Sequence, residues 1–77
     1  DVLRPALEHL VKGIVDHPDD VRVRMVDSRR GQRLEVRVNP EDLGTVIGRG
    51  GRTAKALRQV ITSIGGRGVR VEIVDSY

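Results

Sequence analysis

Val46-Ile47-Gly48-Arg49-Gly50-Gly51-Arg52-Thr53-Ala54-Lys55-Ala56-Leu57-Arg58 decides how the rest of this chain is read. Apolar residues lead into a G-x-x-G turn, and the turn opens a helix with basic residues along one side. Three glycines in four positions leave almost no side chain on the turn, so another molecule's backbone can come close. The N–H groups of the loop and the start of the next helix both favour an anion. Arg49 at the tip, then Arg52 and Lys55, supply positive charge, and Arg58 continues that side of the helix. A phosphodiester fits this arrangement.

Spacing removes the other glycine loops. A G-x-x-x-x-G-K-[S/T] loop needs a glycine followed by Lys and then Ser or Thr, and no glycine here is. A dinucleotide G-x-G-x-x-G beginning at Gly48 and Gly50 requires glycine at position 53, which is Thr53. The remaining glycine-loop reading is the KH one, in which G-x-x-G clamps the backbone of about four nucleotides. The bland alternative is a tight helix–helix turn whose arginines face solvent.

Upstream of the turn, Asn39-Pro40-Glu41-Asp42 reads as a helix start. Asn39 can cap, Pro40 suits the first helical position, and two acids sit in the positive first turn. Leu43, Val46 and Ile47 then face inward, and the helix ends at Gly48. Downstream, a helix from about Arg52 to Ile64 is expected to bury Ala54, Leu57, Ile61 and Ile64, with Val60 beside them. Gly65-Gly66-Arg67-Gly68 stops it and leads into a strand, where Val69, Val71 and Ile73 alternate with Arg70, Glu72 and Val74.

At the other end, Leu3, Leu7, Leu10 and Ile14 share one helical face, with Pro5 in the first turn, Gly13 near the end and Pro18 as the stop. Asp16 to Asp20 reads as a connecting loop, and His9 and His17 as solvent histidines. Val21, Val23 and Met25, then Leu34, Val36 and Val38, alternate with charged residues as two half-buried strands. Asp27 to Gln32 is the turn of that antiparallel hairpin. Its outer face carries mixed charges that read first as a solvated surface and second as a further binding surface. A helix pair joins the second and third strands, which allows them to be parallel neighbours.

Composition bounds the function. Seventy-seven residues suit one small domain, with a core drawn from 24 Val, Leu and Ile and no Phe or Trp. Net charge is +3, carried by twelve Arg and two Lys, which suits a polyanion partner. Tyr77 is the sole aromatic, so modules that stack bases on aromatic rings are excluded. Any bases must sit on aliphatic side chains. The absence of Cys points to a reducing compartment, and no signal-peptide pattern or membrane-length apolar run is visible. No Cys, further His or close carboxylate set completes a metal site around His9 or His17. Ser28, Ser63 and Ser76 have no activating motif, so no enzyme, cofactor or small-molecule substrate is expected.

The order helix, strand, strand, helix, G-x-x-G, helix, strand resembles the type II KH fold of bacteria. The segments I-V-D-H-P-D-D-V-R-V (Ile14 to Val23), P-E-D-L-G-T-V-I-G-R-G-G-R-T-A-K-A-L-R (Pro40 to Arg58) and V-E-I-V-D (Val71 to Asp75) are more specific. They are similar to the small single-domain bacterial RNA-binding proteins of the KhpA (YlqC) type, over essentially the whole chain. The resemblance implies an α+β fold, a type II KH domain over residues 1–77 with its loop at 48–51. Its order is α-β-β-α-α-β, a three-stranded mixed sheet with three helices packed on one face.

The resemblance also implies the site. Gly48, Arg49, Gly50 and Gly51 would clamp the RNA backbone, while Ile47, Ala54 and Leu57 help line an aliphatic cleft floor. Ala54 stands where many KH domains carry a bulkier aliphatic residue, and Thr53 replaces an aliphatic residue common in the subfamily. The implied protein is cytoplasmic, binds single-stranded RNA as a chaperone or post-transcriptional regulator, and is bound to no membrane. It forms a homodimer or pairs with a larger KH-containing protein. The competing functions are a protein-interaction adaptor and a helix-turn-helix reader of duplex DNA. The three-glycine turn argues against the latter.

Overall fold

Leu34, Val36 and Val38, at alternate positions of β2 (Gly31–Val38), are each completely buried, which places β2 at the centre of the sheet. The structure, a computed structural model, describes residues 2–65 and 67–75 except for the side chain of Asp75. The expectations for Gly66, Ser76 and Tyr77 lie outside the described residues. On one side of β2, β1 (Arg22–Ser28) runs antiparallel, with Val23 opposite Val36. On the other, β3 (Val69–Asp75) runs parallel, with Val71 opposite Leu34 and Ile73 opposite Val36. The sheet order is β1-β2-β3, so the expected parallel neighbours are present and β3 is an edge strand.

The hairpin turn is tighter than the expected span from Asp27 to Gln32. Ser28 pairs with Gly31, leaving only Arg29 and Arg30 between the strands. Side chains extend the ladder to the turn: Ser28 Oγ donates to the Gly31 carbonyl at 2.9 Å, and Gln32 Nε2 to Asp27 Oδ1 at 3.0 Å.

Three helices cover one face of the sheet. In α1 (Leu3–Lys12), Leu7 and Val11 are buried, and Leu3 and Leu10 pack partly against the core. The expected fourth contact, Ile14, lies beyond the helix and is 41% exposed. The cause is local: Gly13 caps α1, and its N–H bonds back to the carbonyls of His9 and Leu10. Pro18 therefore does not end α1; it opens a separate 3-10 turn at Pro18–Asp20. α2 (Pro40–Ile47) buries Val46, and α3 (Arg52–Ser63) buries Ala54, Leu57 and Ile61. α3 stops one residue before Ile64, which is exposed where the sequence put it in the core; Val60, within α3, is exposed as well. Thr62 and Ser63 hydroxyls bond back to the carbonyls of Arg58 and Gln59, a pattern that favours helix ends.

The opposite face of the sheet is charged. Arg22 and Arg24 on β1, Arg33, Glu35 and Arg37 on β2, and Arg70 and Glu72 on β3 share it by register. Glu35 is its centre and is only 6% exposed. Arg37 Nε and Arg24 Nε reach its Oε1 at 3.0 and 3.2 Å, and Arg33 Nη2 reaches its Oε2 at 3.3 Å. The sequence read this face as solvated, with charges able to pair across strands; the structure pairs them and also buries the central carboxylate beneath three guanidinium groups. Among the described residues, no helix is long and apolar enough to cross a membrane.

Candidate nucleic-acid interface

The glycine loop is a connection between two anchored helices. Asn39 Oδ1 accepts the Glu41 N–H at 2.8 Å and so caps α2, as its sequence position implied, while its Nδ2 donates to Asp20 at 2.8 Å. Asp42 does more than meet the helix dipole. It is 2% exposed and accepts from the N–H groups of Asp16 (3.2 Å) and His17 (2.9 Å), with His17 Nδ1 at 3.0 Å. This carboxylate ties the α1–β1 connection to the helix that carries the loop. Sequence reading missed the tie, because no local pattern links residues 25 positions apart.

This tie makes stability depend on pH. The bond to Asp42 outweighs partial burial and holds the His17 imidazole above its ordinary 6.5. Burial pushes the Asp42 carboxyl up, but the Asp16 and His17 N–H groups and the His17 ring more than offset it, leaving it below its ordinary 3.8. A raised His stabilises fully below 6.5, and its contribution fades as pH rises through the folded value. A lowered Asp stabilises above 3.8, and its contribution fades as pH falls through the folded value. We predict a melting temperature that is highest between those two values and falls on either side. His17→Gln should flatten the alkaline arm and shrink the acid arm, which the Asp16 and residue-17 N–H groups still support, and Asp42→Asn should flatten both arms. Unchanged pH profiles in thermal melts of both variants would remove the tie.

Beyond α2, Gly48 turns the chain with φ 80 and ψ 167, and its N–H bonds to the Gly44 carbonyl at 2.8 Å. A Cβ there would stand 2.7 Å from Thr53 N and 2.8 Å from Thr53 Cβ. Thr53 thus packs back against Gly48, away from the open side of the loop. Arg49–Gly51 form a single 3-10 turn, with Gly50 at φ 64 and Gly51 at φ 78. A Cβ on Gly50 or Gly51 would meet nothing within 4 Å, so the backbone faces open space at both. Arg49 is exposed at the tip. Gly51 begins α3 with no side-chain cap, and the first turn of α3 holds no acid. Arg52 and Lys55 stand exposed there.

Beside the loop runs a groove of about 350 Å³, lined by Ile47, Gly51, Ala54, Arg58 and residues 70–73 of β3. Ile47, the last residue of α2, is 38% exposed and lines the groove with Ala54, both at positions the family resemblance implied for the cleft floor. Leu57, implied for the same floor, is instead buried in the core and does not line the groove. Arg58 is turned from the loop, its Nε donating to the Val71 carbonyl at 3.4 Å. The β3 residues were not singled out from the sequence. Only the parallel placement of β3 after α3 signals that its edge borders the groove. Among the described residues, no cluster of His, Cys, Asp or Glu could hold a metal ion.

Three helices packed on one face of a three-stranded sheet, with a glycine loop between two of them and an aliphatic groove against an edge strand, define a KH-type module. The family model "KhpA/KhpB, KH domain" matches residues 4–73, and the chain belongs to that family. It is a family of KH domains, not of enzymes. The chain is 69% identical over 74 residues to "RNA-binding protein KhpA" of Streptomyces coelicolor, covering 96% of this chain and 94% of the relative. It is 64% identical over 75 residues to the protein of that name from Mycobacterium tuberculosis (strain ATCC 25618 / H37Rv), covering 97% and 94%. A more distant relative of the same name, from Halalkalibacterium halodurans, is 45% identical over 76 residues, covering 95% and 100%. Among solved structures, none matches significantly.

Proposed function

We propose that this chain binds single-stranded RNA, clamping its backbone at Gly48–Gly51 and seating unstacked bases in the groove. The start of α3 carries the reading. A helix N-terminus prefers acids in its first turn, and this one has Arg52 and Lys55 instead, with no side-chain cap. That arrangement disfavours the free helix and favours an anion held against it. The open left-handed backbone at Gly50 and Gly51 lets a phosphate approach. Ile47, Ala54, Val71 and Ile73 give bases an aliphatic seat in place of aromatic stacking. The relatives' shared name, RNA-binding protein, supports the same class of ligand.

The proposal extends to assembly. Val60 and Ile64, four residues apart, leave α3 with exposed apolar surface. We read it as a seat for a second copy or a larger KH-containing protein, which would raise effective concentration on one RNA. Roles as an RNA chaperone or regulator in the cytoplasm belong to this same proposal. One titration series tests the reading. Single-stranded RNA should outcompete duplex DNA. With about three phosphates neutralised, the log–log salt slope should be near −2, a loss of roughly 20-fold between about 50 and 200 mM salt. Light scattering on the same samples should report a dimer. A salt-insensitive affinity removes the arginines from the phosphates, and monomer at every micromolar concentration removes the homodimer.

A further inference from the structure

The charged face of the sheet holds a second concavity. Val26, Ser28, Arg30, Arg33 and Arg70 line a depression of about 250 Å³, and no carboxylate lines it. Among the described residues, the side chains of Arg30 and Arg70 make no ion pair and no hydrogen bond. Arg33 is fixed: its Nη2 lies 3.3 Å from Glu35 and its Nη1 3.4 Å from Glu72. Its Nε is buried without a partner. A cluster of three guanidinium groups with spare donors suits a phosphate.

Arg70 lines this depression and the groove as well. The register explains how. Arg70 lies on the charged face opposite Arg33, while Val71 and Ile73 lie on the helical face opposite Leu34 and Val36. Because β3 is an edge strand, nothing beyond it in the sheet separates the two faces. The groove is lined by four successive residues, 70–73, whose side chains alternate between faces, so it borders the strand edge itself. The two concavities meet around that edge at Arg70.

We infer that a single RNA strand leaving the groove rounds the β3 edge and sets a phosphodiester against Arg30 and Arg33, with Arg70 at the bend. This rests on the groove being the primary RNA site. It gives the chain a footprint longer than the roughly four nucleotides that a glycine loop clamps. The face favours such a strand over an acidic protein surface, because its continuity with the groove brings the phosphates there already tethered.

The test uses the whole chain, a tetranucleotide that fills the loop site, and a single-stranded RNA roughly three times as long. Fluorescence anisotropy compares wild type with Arg30→Glu and Arg30→Gln. Arg30 is exposed in the hairpin turn and outside the groove, so the fold and the short-RNA site stay intact. Arg30→Glu should weaken the long RNA about 10-fold, the loss of one charge-assisted contact to phosphate, and leave the tetranucleotide unchanged. Arg30→Gln should fall between. Comparing each variant with wild type on the same RNA cancels the greater number of binding registers on the longer one. Equal affinity of wild type and Arg30→Glu for the long RNA overturns the inference. So does a stoichiometry of two tetranucleotides per chain without a length-dependent loss, which would make the depression a site for a second strand. Failure of wild type to bind either RNA is a different result, because it removes the groove reading itself.

Discussion

With Arg49 and Gly50 both changed to aspartate, the protein stays folded and loses RNA binding, by at least about 100-fold. The change removes the exposed cation at the loop tip and puts two carboxylates where a phosphate is expected to lie. Gly50 is the sensitive half of this design, because its φ is 64. Its Cβ meets nothing within 4 Å, so the cost there is conformational and not steric. Aspartate enters the left-handed region more readily than most residues, at a cost of about 1 kcal/mol. That corresponds to a fall of roughly 4–8 °C in melting temperature for a domain of this size. Circular dichroism and a melt should accompany the binding assay. A folded double variant with near wild-type affinity for single-stranded RNA means that Gly48–Gly51 is a turn and no clamp.

Gly48→Ala should produce the largest loss of stability of any glycine substitution in the loop. Its φ of 80 with ψ 167 falls where essentially only glycine is found. The new Cβ would also press on Thr53 N at 2.7 Å, and a backbone atom cannot swing aside as a side-chain tip can. Relief requires α3 to shift against α2, which disturbs the packing of Leu57 and Ile61 in the core. Strain and overpacking together cost at least about 3 kcal/mol. A domain this size has roughly 4–12 kcal/mol in all, so melting should drop by at least about 12 °C. Gly50→Ala, with the same sign of φ but open space around it, should cost about a third as much. Similar melting curves for the two variants would refute the close packing of Gly48 on Thr53.

The elements themselves were legible from periodicity. Leu34, Val36 and Val38 announced the central strand, and Asn39-Pro40 the start of α2, because each signal lies within one element. Element ends were less legible. Ile14 and Ile64 continue the helical spacing of α1 and α3, but each helix stops before them, at Gly13 and after Ser63, and spacing alone does not register a cap. Leu57 left the cleft floor for a related reason: it lies on the apolar face of α3 with Ala54, and only the position of β3 decides which of the two faces the groove. Long-range polar contacts were invisible. Asp42 looked like an ordinary first-turn acid and His17 like a solvent histidine, and although pairing across strands was expected for Glu35, its burial under three arginines was not. The glycine loop was readable from sequence because its requirements, positive φ and close approach, are met by glycine alone. The β3 side of the groove was not, because it depends on sheet order.

Glu35 separates two kinds of response within one small chain. Burial alone would push its carboxyl up, but Arg37 and Arg24 hold it below the ordinary carboxylate range. Guanidinium groups keep their protons at any physiological pH. The Glu35 carboxylate at the centre of the outer sheet face is thus held in its charged form. His17, held above its ordinary 6.5, is the member of the Asp42 tether that takes up a proton as pH falls through its folded value. One surface behaves as a fixed electrostatic template, and the tether behind the loop behaves as a proton-responsive spring.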